Sequence, residues 1–195
     1  MTPVNIRAAT IEDAPNLAFL INLAGENLPM VQWRQMAGAE EDPLQVGAVR
    51  AARTEGDFSF RNAKVAEIDG TLVGMVLSYR LPDPYDPGAT EDLPAIIRPL
   101  VLLESEAPGT WYINAIATYA EQQGRGVGSS LMAHCETMAN DAGVTHLSLI
   151  VASENTGAHA LYLKLGYQDV SSLPLVTYPE GPTGGDWVLM TKPVA

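Results

Sequence analysis

Cysteine is nearly absent from this sequence, which contains a single one, Cys135, among 195 residues. An internal disulfide framework is therefore excluded, because a disulfide within the chain needs two cysteines. Cys135 falls on the apolar face of a predicted helix, where we expect a packed core thiol and not a nucleophile. The three histidines, His134, His146 and His159, fall on separate predicted elements, so their spacing indicates no metal site and we expect structural or surface roles.

Basic residues are also scarce, since 11 lysines and arginines stand against 23 aspartates and glutamates. The formal net charge is −12, and the sequence shows no basic stripe of the kind that binds a nucleic-acid backbone. The composition therefore argues against a nucleic-acid partner. An acidic surface is compatible with a cationic amine substrate, and it also fits a protein whose charge serves only solubility.

Long apolar runs are missing as well. No run reaches the ~18 residues needed to span a membrane, and the N-terminal residues do not combine a basic region with an apolar stretch, as a secretory signal does. Hydrophobic residues nevertheless make up 47% of the chain and charged residues 17%, which is typical of a globular protein. We predict one domain over residues 1–195 that is cytoplasmic and has no membrane partner.

The most informative stretch is QGRGVG at residues 123–128, which follows a strand-like run at 111–117 and opens a helix-like run at 127–142. Glycines at every second position let the backbone turn tightly and approach a ligand. The N–H groups and the positive dipole end of the following helix favour an anion such as phosphate. A strand-to-helix turn that needs glycine only for its geometry is the alternative interpretation.

Two common phosphate loops do not match this stretch. Ser129 stands where a dinucleotide-binding fingerprint needs its third glycine, and the Gly-Lys-Ser/Thr of nucleotide hydrolases is absent. The spacing Gln/Arg-x-x-Gly-x-Gly/Ala instead resembles the acetyl-CoA pyrophosphate loop of the GNAT (Gcn5-related) N-acetyltransferases. Gln123, Gly126 and Gly128 occupy its fixed positions, and Arg125 adds a cation between them.

A second stretch strengthens this resemblance. Residues 155–167, NTGAHALYLKLGY, are similar to the N-x-x-A-x-x-L-Y-x-K-L-G-F/Y segment of the same family. The two patterns occur in the family's order with a strand-like run between them, and residues 6–14 resemble its usual first strand and helix. Asn155 is placed to cap the second helix, and Gly166 is placed to end it in a left-handed conformation.

The resemblance implies an α/β (α+β) fold with a mixed, mostly antiparallel sheet of about seven strands, flanked by helices and splayed between the fourth and fifth strands after Ala117. The sequence pattern predicts strands at residues 4–8, 64–68, 72–81, 110–118, 146–152, 168–171 and 187–191. Asp69-Gly70 between the second and third of these is a hairpin signal, and Gly74 marks a bulge or a close approach by a ligand or backbone. Helices are predicted after Thr10, at 30–37, over a second short segment up to Ala52, and at 93–103, 127–142 and 155–165.

The resemblance also implies how the donor is held. The pantetheine arm of acetyl-CoA pairs with exposed backbone near the end of the fourth strand, where an amide faces the thioester oxygen, and the glycine loop anchors the pyrophosphate. Asn155 caps its helix, contacts the cofactor, or does both. The predicted cofactor-binding residues are Ile116, Ala117, Thr118, Gln123, Gly124, Arg125, Gly126, Val127, Gly128, Ser129 and Asn155.

Tyr162 matches the general acid of the family, which protonates the departing CoA sulfur. A phenol has a reference pKa of ~10, so it carries its proton at neutral pH and can donate it. The alternative is a tyrosine that packs on the inner face of the helix with Leu161 and Leu165.

The general base is not visible in the sequence. Ile150 stands where the protein-N-terminus branch of the family has a glutamate, so the mechanism of that branch does not carry over. Glu104, Glu106 and Tyr112 fall near the fourth strand, and a water molecule ordered by Asn114 or by backbone carbonyls is an equal alternative.

An insertion at residues 82–109 separates the third strand from the fourth, where the family has a short turn. Its first residues, PDPYDPG, cannot form regular structure. The insertion is a candidate lid over the acceptor site or a contact in a homodimer, and the sequence does not separate these alternatives.

The sequence as a whole predicts an N-acetyltransferase that moves an acetyl group from acetyl-CoA directly to a primary amine of a small molecule or peptide. A catalytically idle domain that binds acyl-CoA as a sensor or partner module is the alternative. An oxygen acceptor and a longer acyl chain also remain open, and the acceptor is not identified.

Overall fold

A computed structural model of the chain describes residues 3–194. Within these residues the strands are β1 (Asn5–Ala8), β2 (Ala63–Ile68), β3 (Thr71–Arg80), β4 (Trp111–Thr118), β5 (His146–Ala152), β6 (Gln168–Pro174) and β7 (Asp186–Pro193). The α-helices there are α1 (Ala14–Ala24), α2 (Leu28–Met36), α3 (Pro43–Ala51), α4 (Arg98–Ser105), α5 (Val127–Asp141) and α6 (Thr156–Lys164). The strands form one sheet in the order β1-β2-β3-β4-β5-β7-β6, which is antiparallel apart from the parallel pair β4–β5 and confirms the predicted fold class.

The chain divides into two compact units, the first formed by residues up to 79 together with 114–135 and the second by residues 80–113 together with those from 136 onward. β4 and α5 each contribute residues to both units. The single domain expected from the sequence stays a prediction. None of the helices within residues 3–194 combines the length and the apolar character that crossing a bilayer requires.

The first unit is built on the β2–β3 hairpin. Asp69 and Gly70 form its turn with φ of 52° and 75°, as the sequence predicts. One face of β2 and β3 carries alternate buried side chains, among them Val65, Met75 and Leu77, which pack with Leu17 and other residues of α1. α3 packs against α1 and α2, so the three helices of this unit share one apolar interior.

The second unit contains the parallel pairing of β4 with β5, in which Trp111, Tyr112 and Ile113 lie opposite Leu147, Ser148 and Leu149. β7 pairs antiparallel with β5 and also with β6. α6 contacts β5, and α4 packs against β6 and β7. The helix of the insertion is therefore fastened to the last two strands of its own unit, where Leu103 is fully buried.

The predicted helix at 93–103 begins later than expected. α4 starts at Arg98, because Pro99 has no N–H to give to a preceding turn and suits only the first turn of a helix. The preceding residues form a 3-10 turn and bends, and the Arg98 guanidinium binds three of their carbonyls, those of Thr90, Glu91 and Leu93. β6 is also longer than predicted, since residues 172–174 continue its pairing with β7.

The entry to α1 depends on an ion pair inside the first unit. The Arg7 guanidinium donates to both carboxylate oxygens of Asp13, at 2.7 and 3.0 Å, and also to Glu67. The Asp13 carboxylate accepts the N–H of Thr10 at 2.8 Å, which is one of the two hydrogen bonds of a capping box. The hydrogen bond from Arg7 is the main cause that lowers the pKa of Asp13 below its usual value.

We expect Asp13→Asn to destabilise the protein by ~1–3 kcal/mol at pH 7, because Arg7 would lose a charged partner in a buried position. The pKa of Asp13 is lowered in the folded state, so its contribution is present above the unfolded-state pKa of ~3.9 and is lost as the pH falls through the folded-state pKa. The difference in urea midpoint between wild type and variant should therefore shrink below about pH 4.

Asp92→Asn is the matched control for this prediction. It removes the same charge from an exposed side chain that makes no hydrogen bond or ion pair in the described part of the chain. Equal urea midpoints for Asp13→Asn and Asp92→Asn at pH 7 would contradict the role given to the Arg7–Asp13 pair.

Candidate functional site

The turn between β4 and α5 is fixed at its start by backbone pairing. Tyr119 directly follows β4, and its N–H donates to the carbonyl of Val73 in β3 at 3.0 Å. A 3-10 turn at Ala120–Gln122 leads to Gln123, and Gly124 and Gly126 then adopt φ of 75° and 81°. L side chains are strained in that region, so the backbone itself requires glycine at these two positions.

The amide groups of this turn have no hydrogen-bond acceptor in the part of the chain that the structure describes. The first hydrogen bond of α5 joins the N–H of Ser130 to the carbonyl of Gly126 at 3.0 Å. Within residues 3–194, no N–H group of residues 124–129 donates to another protein group. Part of this follows from helix geometry, because the first amides of a helix have no carbonyl four residues earlier. The arrangement leaves a row of donors at the positive end of a helix dipole, which suits a phosphate group.

Gly128 differs from the other two glycines of the turn. It lies in the first turn of α5 without a left-handed φ, and a Cβ built on it meets no protein atom within 4 Å. Nothing in the protein therefore requires glycine there, and a methyl group would occupy open space beside the row of amides. A glycine in that place fits the close approach of a bulky anion such as a pyrophosphate.

The side chains of the turn add one cation. Arg125 is exposed, and its guanidinium donates to the Gln122 side-chain oxygen. Gln123 and Ser129 are exposed as well. The predicted pantetheine-pairing residues Ile116, Ala117 and Thr118 are half-buried at the end of β4, in the same unit as the turn.

The remaining two predicted site residues, Asn155 and Tyr162, lie in the second unit, on α6 and at its start. Asn155 caps the helix as expected, with its Oδ1 accepting the N–H of Ala158 at 3.1 Å. At the other end, Gly166 has a φ of 91°. The Gly166 N–H donates to Leu163 and that of Tyr167 to the Tyr162 carbonyl, both at 3.0 Å, which is a Schellman motif and confirms the predicted helix end.

Tyr162 is held firmly by this helix. Its side chain is buried with 8% of the residue surface exposed, and its ring centroid lies 6.0 Å from that of Tyr167. Its carbonyl accepts two hydrogen bonds of the C-terminal cap, from the N–H groups of Leu165 and Tyr167. Two capped ends thus fix the backbone that carries the predicted general acid.

The candidates for a general base occupy different environments. Tyr112 is buried, whereas Asn114 and Glu106 are exposed. Glu104 accepts a hydrogen bond from the hydroxyl of Tyr85 at 2.8 Å within the insertion. These positions do not single out one group, so the general base stays unassigned.

The histidines and the cysteine have the structural surroundings expected of them. Burial, with a smaller effect of Lys64, lowers the pKa of His134. His159 is half-buried on α6, and its Nε2 lies 2.9 Å from a carboxylate oxygen of Asp169. Cys135 is fully buried beside Ser78, and burial raises the pKa of its thiol to about 11, which confirms the packed core role.

One feature near Asn155 has no signal in the sequence. The loop between β6 and β7 is hydrogen-bonded to the residues that follow β5. The Glu154 carboxylate accepts the N–H of Thr183 at 3.2 Å. The Ser153 hydroxyl accepts the N–H of Asp186 at 2.9 Å. These contacts join residues far apart in the chain, which no local pattern predicts. They hold the loop at 175–185 against the segment that leads into α6.

Comparison with known proteins agrees with this geometry. The model of the acetyltransferase (GNAT) family matches residues 27–167. No curated protein matches the chain. A solved acetyltransferase structure is 22% identical, with a TM-score of 0.67, and the match covers 98% of this chain and all of that one.

Two further solved structures share the fold. The ribosomal-protein-S18-alanine N-acetyltransferase from Escherichia coli is 17% identical with a TM-score of 0.61, over 99% of this chain and 95% of that one. The Drosophila melanogaster polyamine N-acetyltransferase, which forms N-acetylagmatine, is 15% identical with a TM-score of 0.65, over 97% and 99%.

Proposed function

This chain belongs to the GNAT family of acetyltransferases, and we propose that it transfers an acetyl group from acetyl-CoA to a primary amine of a small molecule or peptide. The observation that carries the proposal is the row of amide groups at residues 124–129, which have no acceptor among the described residues 3–194. In this proposal those amides and Arg125 bind the pyrophosphate of the donor, and the backbone of Ile116, Ala117 and Thr118 pairs with its pantetheine arm. A cytoplasmic location stays a prediction.

The proposed reaction is a direct transfer. The acceptor nitrogen attacks the thioester carbon, and the tetrahedral adduct collapses with loss of the CoA thiolate. The Tyr162 hydroxyl gives its proton to that sulfur, the amine gives up one proton to solvent or to an unassigned base, and the Tyr162 phenolate regains a proton from solvent. The products are an amide and free CoA, so one acetyl group moves and the protons balance.

The acceptor class rests on two supports. Both solved structures named above are of N-acetyltransferases, one that acts on an alanine of ribosomal protein S18 and one that forms N-acetylagmatine. The net charge of −12 favours a cationic acceptor over an anionic one. Ile150 in place of the glutamate of the protein-N-terminus branch weighs against a mechanism copied from that branch.

A screen of primary amines with acetyl-CoA tests the function, with CoA release followed by a thiol reagent. The single cysteine, Cys135, is buried with a raised pKa, so the folded protein contributes little thiol signal. Amine-dependent release with a matching acetylated product would support the proposal. Tight CoA binding without turnover of any amine would favour the acyl-CoA-binding module instead.

Gly128→Ala isolates the proposed pyrophosphate contact. The added methyl group occupies space that is open in the protein, so we expect CoA affinity by calorimetry to fall about tenfold or more. The free energy of unfolding should not fall, because alanine is favoured over glycine in a helix by up to ~1 kcal/mol. Gly126 is less suitable for this test, since its positive φ strains any replacement.

Gly38→Ala is the control for that experiment, because its Cβ would come no closer than 4.0 Å to another residue and it lies outside the turn. Wild-type CoA affinity in Gly128→Ala would remove the turn as the pyrophosphate site.

Tyr162→Phe should reduce kcat by ~10²–10⁴, which is typical of a lost general acid. CoA affinity should stay close to wild type, because the proton is donated only in the transition state. Tyr167→Phe is the matched control, since it deletes the same hydroxyl from a buried ring 6.0 Å away. Equal rates for the two variants would assign Tyr162 to packing alone.

The two ends of the insertion lie side by side and are joined by backbone hydrogen bonds. The N–H of Leu81 donates to the Thr110 carbonyl at 2.9 Å, and that of Gly109 donates to Pro82 at 3.0 Å. Within the insertion α4 is packed on β6 and β7, whereas residues 82–92 are largely exposed. The exposed part can therefore be altered without removing the packed helix.

We predict that this exposed part acts as a lid on the acceptor. Replacing residues 84–92 with a Gly/Ser linker of equal length should raise the acceptor KM or broaden specificity while the CoA affinity stays unchanged. Steady-state kinetics and calorimetry measure the two effects. A changed oligomeric state by light scattering, with unaltered kinetics per subunit, would instead make the insertion a homodimer contact.

A further inference from the structure

β3 leaves its regular pairing at the point where it lies closest to the glycine turn. Ala66 of β2 is opposite Gly74, but the next residue, Glu67, is opposite Leu72, so Val73 is an extra residue in β3. Such a β-bulge bends its strand and turns its backbone groups in new directions. The carbonyl of Val73 accepts the N–H of Tyr119, the residue at which β4 ends and the turn begins.

Gly74 leaves no room for a side chain beside this bulge. A Cβ at this position would lie 2.8 Å from the carbonyl oxygen of Ala117. It would also lie 3.1 Å from Val127 Cγ1 and 3.2 Å from Thr118 Oγ1. These separations are shorter than the ~3.5–4.0 Å at which carbon atoms pack, and the tightest one is to a backbone atom that cannot rotate away.

These contacts all belong to the proposed donor site. Ala117 and Thr118 are the predicted pantetheine-pairing residues, and Val127 is the first residue of α5, immediately after Gly126. Val127 is buried with 1% of its surface exposed, so it anchors the start of the helix. The bulge therefore contacts the start of the turn, through the hydrogen bond from Tyr119 to Val73. Gly74 contacts the end of the turn, where it packs against Val127.

We propose that Gly74 and the bulge at Val73 position the donor-binding turn, so that the amides of residues 124–129 and the end of β4 are presented together to one ligand. Gly74 touches no substrate in this proposal and acts through Ala117 and Val127. The inference rests on the proposed function, because it assigns to Gly74 an effect on acyl-CoA binding.

Gly47 offers a matched comparison in the same unit. A Cβ there would lie 2.6–2.7 Å from three atoms of the Trp33 ring, which is at least as tight as the contact at Gly74. Trp33 belongs to a separate core cluster with Ala18 and Ala48. Gly47→Ala therefore crowds the first unit to a similar degree without touching the turn.

The experiment measures CoA binding by calorimetry for wild type, Gly74→Ala and Gly47→Ala, on samples shown to be folded by circular dichroism. We expect both variants to lose stability through crowding. Only Gly74→Ala should bind CoA more weakly, by at least about tenfold, because a shift of ~1 Å in a positioned group can cost ~10²-fold. Hydrogen exchange at residues 117–129 without ligand should accelerate in Gly74→Ala alone.

Wild-type affinity and exchange in a folded Gly74→Ala would overturn the inference and leave the proposed function intact. Absence of CoA binding by the wild type would instead overturn the proposed function, and the inference with it. If Gly74→Ala does not fold, Val127→Ala and Val65→Ala replace it, since both truncate a buried valine of the first unit. The inference then requires both weaker CoA binding and faster ligand-free hydrogen exchange at residues 117–129 in Val127→Ala only, because exchange without ligand reports the packing at Gly74 and not a contact of Val127 with CoA; unchanged exchange or equal affinities overturn it.

Discussion

The turn between β4 and α5 must reverse the chain and still keep the amide groups of residues 124–129 without acceptors within the described residues 3–194. Only a backbone with left-handed residues does both in so short a segment, which is why Gly124 and Gly126 have positive φ. Leaving donors unsatisfied is tolerable here because the turn is exposed and water or a ligand can accept from them. The same constraint makes the turn a candidate anion site before any side chain is considered.

This backbone site resolves an apparent conflict with the charge of the chain. A net charge of −12 repels a polyanion such as CoA at long range, yet that repulsion is screened beyond ~10 Å at moderate salt. In the proposed function the amides at the N-terminus of α5 and Arg125 act on the donor at hydrogen-bond distance, where their attraction exceeds this long-range repulsion. Donor recognition by backbone dipoles therefore does not need the basic surface that a nucleic-acid-binding protein needs.

Elements specified by local chemistry were predictable from the sequence. Asp69-Gly70 determines a hairpin, Asn155 and Gly166 determine the two ends of α6, and the glycines at 124–128 determine the turn, because each depends on residues a few positions apart. α4 was predicted to start too early because its apolar spacing extends back to residue 93, whereas Pro99 and the carbonyls bound by Arg98 decide the true start.

Features that depend on contacts between distant residues were not predictable. Gly74 was expected to mark either a bulge or a close approach, and the structure has both, since the register shifts beside it and Ala117 lies against it. A period-two pattern shows which face a residue takes, but it does not show a one-residue shift against a neighbouring strand. The hydrogen bond from Thr183 to Glu154 was not predictable either, because it joins residues far apart in the sequence.

The contrast between local patterns and long-range contacts also distinguishes donor binding from acceptor selection in the proposed function. Donor binding uses backbone geometry that a short glycine pattern specifies, so a chain can keep it while its other segments change. Acceptor selection needs side chains placed by long-range packing, and two segments held in that way are the insertion, packed on β6 and β7 through α4, and the loop at 175–185, hydrogen-bonded to Glu154. Because both segments belong to the second unit, a substitution in β6 or β7 of that unit can alter how they are held without changing the turn at residues 124–129. We therefore expect acceptor specificity to vary more readily than donor affinity when this chain is mutated.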